Sequence, residues 1–174
     1  VNLSICERFR PFFGHLSPWA RMLDHLAWRY KVLFIVSAGN HPDDIVLSVA
    51  PPALAALTQT QLAHEFLQAV ERQKTERRLL SPSESINALS VASSHSDNST
   101  FPLMAGVYNP YNGNDMPSPI NAQGPGFRSS IKPDFLMAGG RQLYSALPGA
   151  LGPQAALEPR PYVSTPGQRV ASPG

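Results

Sequence analysis

The sequence predicts an α/β fold: a parallel sheet with helices on both faces, then a C-terminal part of Pro/Gly-rich loops and hairpins. Three observations predict it. Residues 1–5, Val1-Asn2-Leu3-Ser4-Ile5, form a short β-type run. Residues 17–30 carry apolar side chains at helical spacing. Residues 32–36, Val32-Leu33-Phe34-Ile35-Val36, are apolar without a break, as in a strand covered on both faces. Strand, helix and strand in that order imply a right-handed βαβ unit in a parallel sheet.

The first run ends at Cys6, and residues 6–16 read as a loop bearing Phe9, Phe12 and Phe13. Ser17 precedes Pro18, the N-cap and first-turn pairing of a helix start. Trp19, Met22, Leu23, Leu26, Ala27 and Tyr30 then fall on one stripe, predicted to face the sheet. The second strand spans 32–37. Pro42, Pro51 and Pro52 interrupt the next stretch, which carries a helical turn over 53–57. Thr58 and Gln61 have the spacing of a capping box, and Leu62, Ala63, Phe66, Leu67 and Val70 continue a second amphipathic helix to about residue 78. Ser81-Pro82 stops it, and 86–92 reads as another strand. Beyond residue 100 the texture changes: twelve of the 18 prolines and ten of the 12 glycines lie there. That density means turns, short strands and edge hairpins, with 131–137 as the best strand.

The 174 residues can bury one sizeable core, so a single domain is expected. The formal net charge of +2 and scattered basic residues point away from nucleic acid; the cluster over 72–78 reads as a solvated helix face. No apolar run reaches membrane-spanning length, and no membrane partner is expected. Cys6 is the single cysteine and has no internal partner. The chain opens on strand-like sequence and closes in loop-like sequence, and is read as a piece of a longer protein.

The most informative residues are Ser37-Ala38-Gly39-Asn40, directly after the apolar strand. Small residues ending a strand, then an Asn, present one side-chain amide at a sheet edge. A primary amide there can donate to charge developing on a carbonyl oxygen. A plain turn is the competing reading.

Three segments carry a family resemblance: Val1-Asn2-Leu3-Ser4-Ile5; Tyr30 through Ser37-Ala38-Gly39-Asn40; and Gly124-Pro125 followed by Ile131-Lys132-Pro133-Asp134-Phe135-Leu136-Met137-Ala138-Gly139-Gly140. Ser85-Ile86-Asn87-Ala88-Leu89-Ser90-Val91-Ala92 lies between the last two. In this order they resemble the middle of a subtilisin-like serine peptidase, between its catalytic His and catalytic Ser. The resemblance implies one peptidase domain over 1–174, with a βαβ core over 1–100, a helical insertion at about 41–80, and a loop-rich segment over 101–174. It implies that Asn40 is the side-chain donor of an oxyanion hole. Ser4, Ile5 and Cys6 would line an extended substrate, and Ser37, Ala38 and Gly39 the pocket for the residue before the cut. The parent would be an endopeptidase acting on peptide or protein substrates without a cofactor, and this stretch alone would be inactive. Three departures stand out. Cys6 replaces a frequent Gly and would narrow the pocket. Gly140 follows Ala138-Gly139 where the family has Pro-Gly. Ser93 replaces the small Gly-Ala strand ending.

The family's nucleophile motif, G-T-S-x-A, does not occur; Val163-Ser164-Thr165-Pro166-Gly167 has the wrong order, and neither Ser164 nor Ser172 opens a predicted helix. His25 and His64 fall beside helical stripes. His41 with Asp43 and Asp44 reads as loop capping, and residues 93–97 around His95 as a polar turn. No histidine spacing suggests zinc, and His15 stands alone. A degenerate subtilase-like domain kept for binding is the alternative function. A Rossmann-like nucleotide module is a third, weakened by the absence of a glycine-rich loop.

Overall fold

Ser17 begins the first helix as its spacing predicts. Its hydroxyl accepts a hydrogen bond from Ala20 N at 3.0 Å, and its own N–H donates to Glu84 Oε1. The computed structural model describes residues 1–96, 106–111, 116–147, 150–153, 160–165 and 168–172. Asp97 and Pro166-Gly167, expected in turns, lie outside them.

In chain order the elements are β1 (Asn2–Leu3), β2 (Glu7–Pro11), α1 (Pro18–Tyr30), β3 (Ile35–Ser37), α2 (Pro51–Leu54), α3 (Gln59–Arg72), β4 (Leu80–Ser81), β5 (Leu89–His95), β6 (Val107–Tyr108), β7 (Met116–Pro117), a 3₁₀ turn (Phe127–Ser129), β8 (Phe135–Ala138), β9 (Tyr144–Leu147), β10 (Ala150–Pro153), β11 (Arg160–Thr165) and β12 (Gln168–Ser172). The main sheet is parallel across β1, β3, β5 and β8, and β7 joins the end of β5 antiparallel. Asn2 pairs with Ile35, Ile35 with Leu89, and Val91 with Phe135. This is the α/β class with the predicted β1-α1-β3 unit. The C-terminal strands form antiparallel pairs, β9 with β6 and β10, and β11 with β12.

Helix α1 spans the predicted residues, but its buried face is narrower. Ala20 and Leu23 are buried, and Trp19, Leu26 and Ala27 are half-buried against Phe34 and Val36. Met22 and Tyr30, counted in the stripe, are exposed. Met22 lies at the margin of the apolar arc, and Tyr30 is the last residue of the helix. The helix ends at Lys31, in the left-handed region at φ 55°, with its ammonium 4.1 Å from the Trp28 ring centre.

The sheet is covered on one face only among the described residues. Phe34 and Val36 are 7% and 1% exposed, whereas Leu33 and Ile35 are 54% and 38% exposed. The expected double cover of 32–37 is therefore not met here. Leu136, whose register partner Ala92 lies on the α1 side, shares a cavity of about 600 Å³ with Leu67 and Val70 of α3. The opposite face carries Ile35, Val91, Phe135 and Met137 and, among the described residues, no helix.

Thr58 and Gln61 make both arms of the capping box that opens α3. Phe66, Leu62 and Ala69 build a second core with Ile45, Leu54, Tyr111 and Tyr144, and the Phe66 and Tyr144 rings lie 5.1 Å apart. The helix stops at Arg72, short of the predicted residue 78. Gln73 takes a non-helical conformation, and the chain continues in tighter turns bonded three residues apart, Glu76 N to Gln73 O and Arg77 N to Lys74 O. The predicted loop 6–16 contains β2, which pairs antiparallel with β4. The predicted strands 86–92 and 131–137 begin later, at Leu89 and Phe135. Ser93 to His95, expected in a turn, belong to β5.

An ion pair between buried Lys132 and the more exposed Asp134 ties the segment leading into β8 to β5. Lys132 Nζ donates to Ala88 O at 2.9 Å and to Asp134 Oδ2 at 2.7 Å, and the same oxygen accepts from Ser90 N and Oγ. Burial alone would raise the Asp134 carboxyl, but the hydrogen bonds from Lys132 and Ser90 outweigh it and hold it below the ordinary carboxylate range. A depressed folded-state value stabilises above the unfolded value and is lost as pH falls through the folded one. Urea denaturation should therefore show stability declining below about pH 4, and Asp134→Asn should remove part of that decline. Parallel acid limbs for the two proteins would rule out this role.

Candidate active site

The backbone from Ser37 to Asn40 is pinned from two sides. Ala38 N donates to Val91 O at 2.8 Å, and Leu80 N donates to Ala38 O at 3.1 Å. Ala122 N donates to Gly39 O at 2.8 Å, and His41 N donates to Ile120 O at 2.7 Å. Asn40 thus forms an isolated antiparallel bridge with Asn121. Gly39 has φ +100°, and a Cβ built on it would come within 2.7 Å of Leu80 Cβ. Sign and space both demand glycine there.

This turn lifts the Asn40 side chain out at the C-terminal end of β3. Asn40 is exposed and lines a groove of about 730 Å³ on the open face of the sheet. Ser4, Ser37, Ile35, Ser93 and Met137 line it too. The Asn40 amide makes no hydrogen bond among the described residues, so its donors are free to meet a ligand.

The other predicted site residues lie close by in different settings. Ser4 and Ile5 are exposed and Cys6 is half-buried, all three between β1 and β2 and in neither strand. Ser37 is half-buried, and its hydroxyl accepts from Gly39 N at 3.2 Å. Ala38 and Gly39 are buried beneath Phe12, Leu79 and Leu80. The groove therefore brings together Ser4, Ser37 and Asn40; Ile5, Cys6, Ala38 and Gly39 do not line it.

The histidines have their own partners. His41 is buried and its Nε2 lies 2.8 Å from Arg78 O, with Asp43 at 3.8 Å from Nδ1. His64 Nε2 is bonded to Gln68, and His95, buried in β5, to Asn109 Oδ1. His15 and His25 are exposed. No group of three His, Cys, Asp or Glu side chains that could hold a metal ion occurs among the described residues. No helix among them is long and apolar enough to cross a membrane.

Two residues that shape the site carry no signal in the sequence. Asn121 Oδ1 accepts from Ser93 N and Oγ, and its Nδ2 donates to Ser93 O at 2.7 Å, tying the segment beside Asn40 to β5. Arg77, expected on a solvated face, is 2% exposed, because the tight turns after α3 rotate it inward. An Arg among Arg and Lys neighbours looks solvated; only its carbonyl partners, distant in sequence, reveal otherwise.

The subtilase family model matches residues 1–168. The chain belongs to the subtilase family. A curated relative, the uncharacterized protein y4bN of Sinorhizobium fredii (strain NBRC 101917 / NGR234), is 31% identical over 147 residues. The match takes in 82% of this subtilase chain but 31% of the relative, so the chain spans about a third of that protein's length. No solved structure matches the chain.

Proposed function

We propose that the protein carrying this chain is a serine endopeptidase and that Asn40 supplies the side-chain donor of its oxyanion hole. The observation behind this reading is the free, exposed amide of Asn40 over the groove at the end of β3. In the proposed mechanism a serine hydroxyl attacks the peptide carbonyl and a histidine takes its proton. An aspartate orients that histidine, and Asn40 donates to the oxygen as it gains charge. The aspartate, histidine and serine come from segments on either side of these residues. Backbone groups of Ser4, Ile5 and Cys6 pair with an extended substrate as an added strand. Ser37, Ala38 and Gly39 border the pocket for the residue before the cut, where small side chains leave room.

A fluorophosphonate probe tests the reading. It reacts with a serine only where base and oxyanion donors raise the nucleophile. The full-length protein should be labelled at one serine in a heat-sensitive way, and residues 1–174 alone should not. Absence of labelling in folded full-length protein would leave a binding domain as the better account.

A further inference from the structure

We propose that Arg77 is a positioning residue that sets the place of the Asn40 amide. The proposal rests on the reading of Asn40 as oxyanion donor. Because the Asn40 side chain has no hydrogen bond of its own among the described residues, its position is inherited from its backbone. That backbone runs between two segments, and one guanidinium joins them. Arg77 Nη1 donates to His41 O at 3.2 Å and to Pro119 O at 3.1 Å. Arg77 Nη2 donates to Asp43 O at 2.9 Å and to Asp44 O at 3.3 Å. His41 directly follows Asn40, and Pro119 leads into the segment whose Asn121 bridges to Asn40.

The clamp is itself anchored. Gln123 N donates to Arg77 O at 2.8 Å, and the ring of His41 is bonded to Arg78 O. All four side-chain acceptors are neutral carbonyls. A buried cation whose hydrogen bonds all go to neutral carbonyls is costly to keep, although the carboxylates of Asp43 and Glu76 lie near enough to favour its charge. A rigid planar fork suits the task, since five donors in fixed directions hold several loop carbonyls at once. Between His41, held at Ile120 O and Arg78 O, and the buried Ile45, the loop is exposed at Pro42, Asp43 and Asp44, and the carbonyls of Asp43 and Asp44 are gathered by this fork. Without the clamp, the carbonyls of His41 and Pro119 lose their shared donor, the two segments of the bridge are held only by their own hydrogen bonds, and the Asn40 amide is less closely fixed.

The test is a double-mutant cycle in the full-length protein, read by the rate of fluorophosphonate labelling. Arg77→Met and Arg77→Lys should each slow the labelling step by up to about 100-fold, the scale of a small misplacement of a reacting group, while apparent probe binding holds within about threefold. In an Asn40→Ala background the same changes should slow it by less than about threefold, because the group they position is gone. Arg77→Lys keeps a buried cation, so its melting temperature shows whether the fold survives. Equal losses with and without Asn40 would overturn the proposal and leave the oxyanion reading intact. Wild-type labelling by folded Arg77→Lys would overturn it too. Failure of both variants to fold would also count against it, since Arg77 would then be a strut of the fold. Unchanged labelling in Asn40→Ala alone would instead remove the oxyanion reading, and the ground for Arg77 with it.

Discussion

Asn40→Ala in the full-length protein is expected to lower kcat for peptide hydrolysis by about 10²–10³-fold and to change KM little. That magnitude comes from subtilisin, the namesake of the family, and is not read from this chain. What the structure adds is the reason for the split between the two constants. The amide is exposed, free of partners among the described residues, and lines the groove. A neutral substrate carbonyl gains little from it. The oxygen gains much once it carries charge, so the loss falls on the transition state. The truncation removes no buried contact, and thermal stability should stay near that of the parent protein. A variant with full turnover would sink the assignment. One that weakened binding and turnover alike would also count against it, by pointing to a plain substrate contact.

The second large effect is structural. Gly39→Ala should destabilise the protein by about 2–6 kcal/mol, by urea denaturation. A left-handed conformation imposed on a non-glycine residue costs of order 1–3 kcal/mol. Forcing a methyl into a filled site costs about 1–3 kcal/mol more. Both apply at Gly39, with φ +100° and Leu80 Cβ at 2.7 Å from the added carbon. Gly14 separates the two effects, since it has φ +93° and nothing within 4 Å of a built Cβ. Gly14→Ala should cost only the conformational part. Equal costs at the two glycines would show that the closeness of Leu80 does not matter.

Local chemistry was legible in the sequence. The Ser17-Pro18 start of α1 and the Thr58/Gln61 box that opens α3 depend on neighbours three residues away, and each is where the spacing puts it. The β1-α1-β3 order and the family motifs were legible for the same reason. The features that escaped depend on distant partners. β2 exists because β4, some seventy residues later, offers it an edge. Arg77 is buried because carbonyls at 41, 43, 44 and 119 converge on it. Asn121 matters because Ser93 lies across from it. The unbroken apolar run before Ser37 described side chains that suit burial, and here only alternate ones are buried.

That alternation leaves a mark that mutagenesis can read. Residues 33–36 have no period in their letters, yet tolerance to polar substitution should rise and fall every second residue in this chain. Polar replacements at Phe34 and Val36 should be rejected, and those at Leu33 and Ile35 accepted, when the 174 residues are scanned by themselves. The same scan in the full-length protein calibrates the environment of the bare face. Each exposed position that turns intolerant there reports apolar cover gained from elsewhere in the protein. The difference between the two scans would draw, residue by residue, the outline of whatever rests on Ile35, Phe135 and Met137.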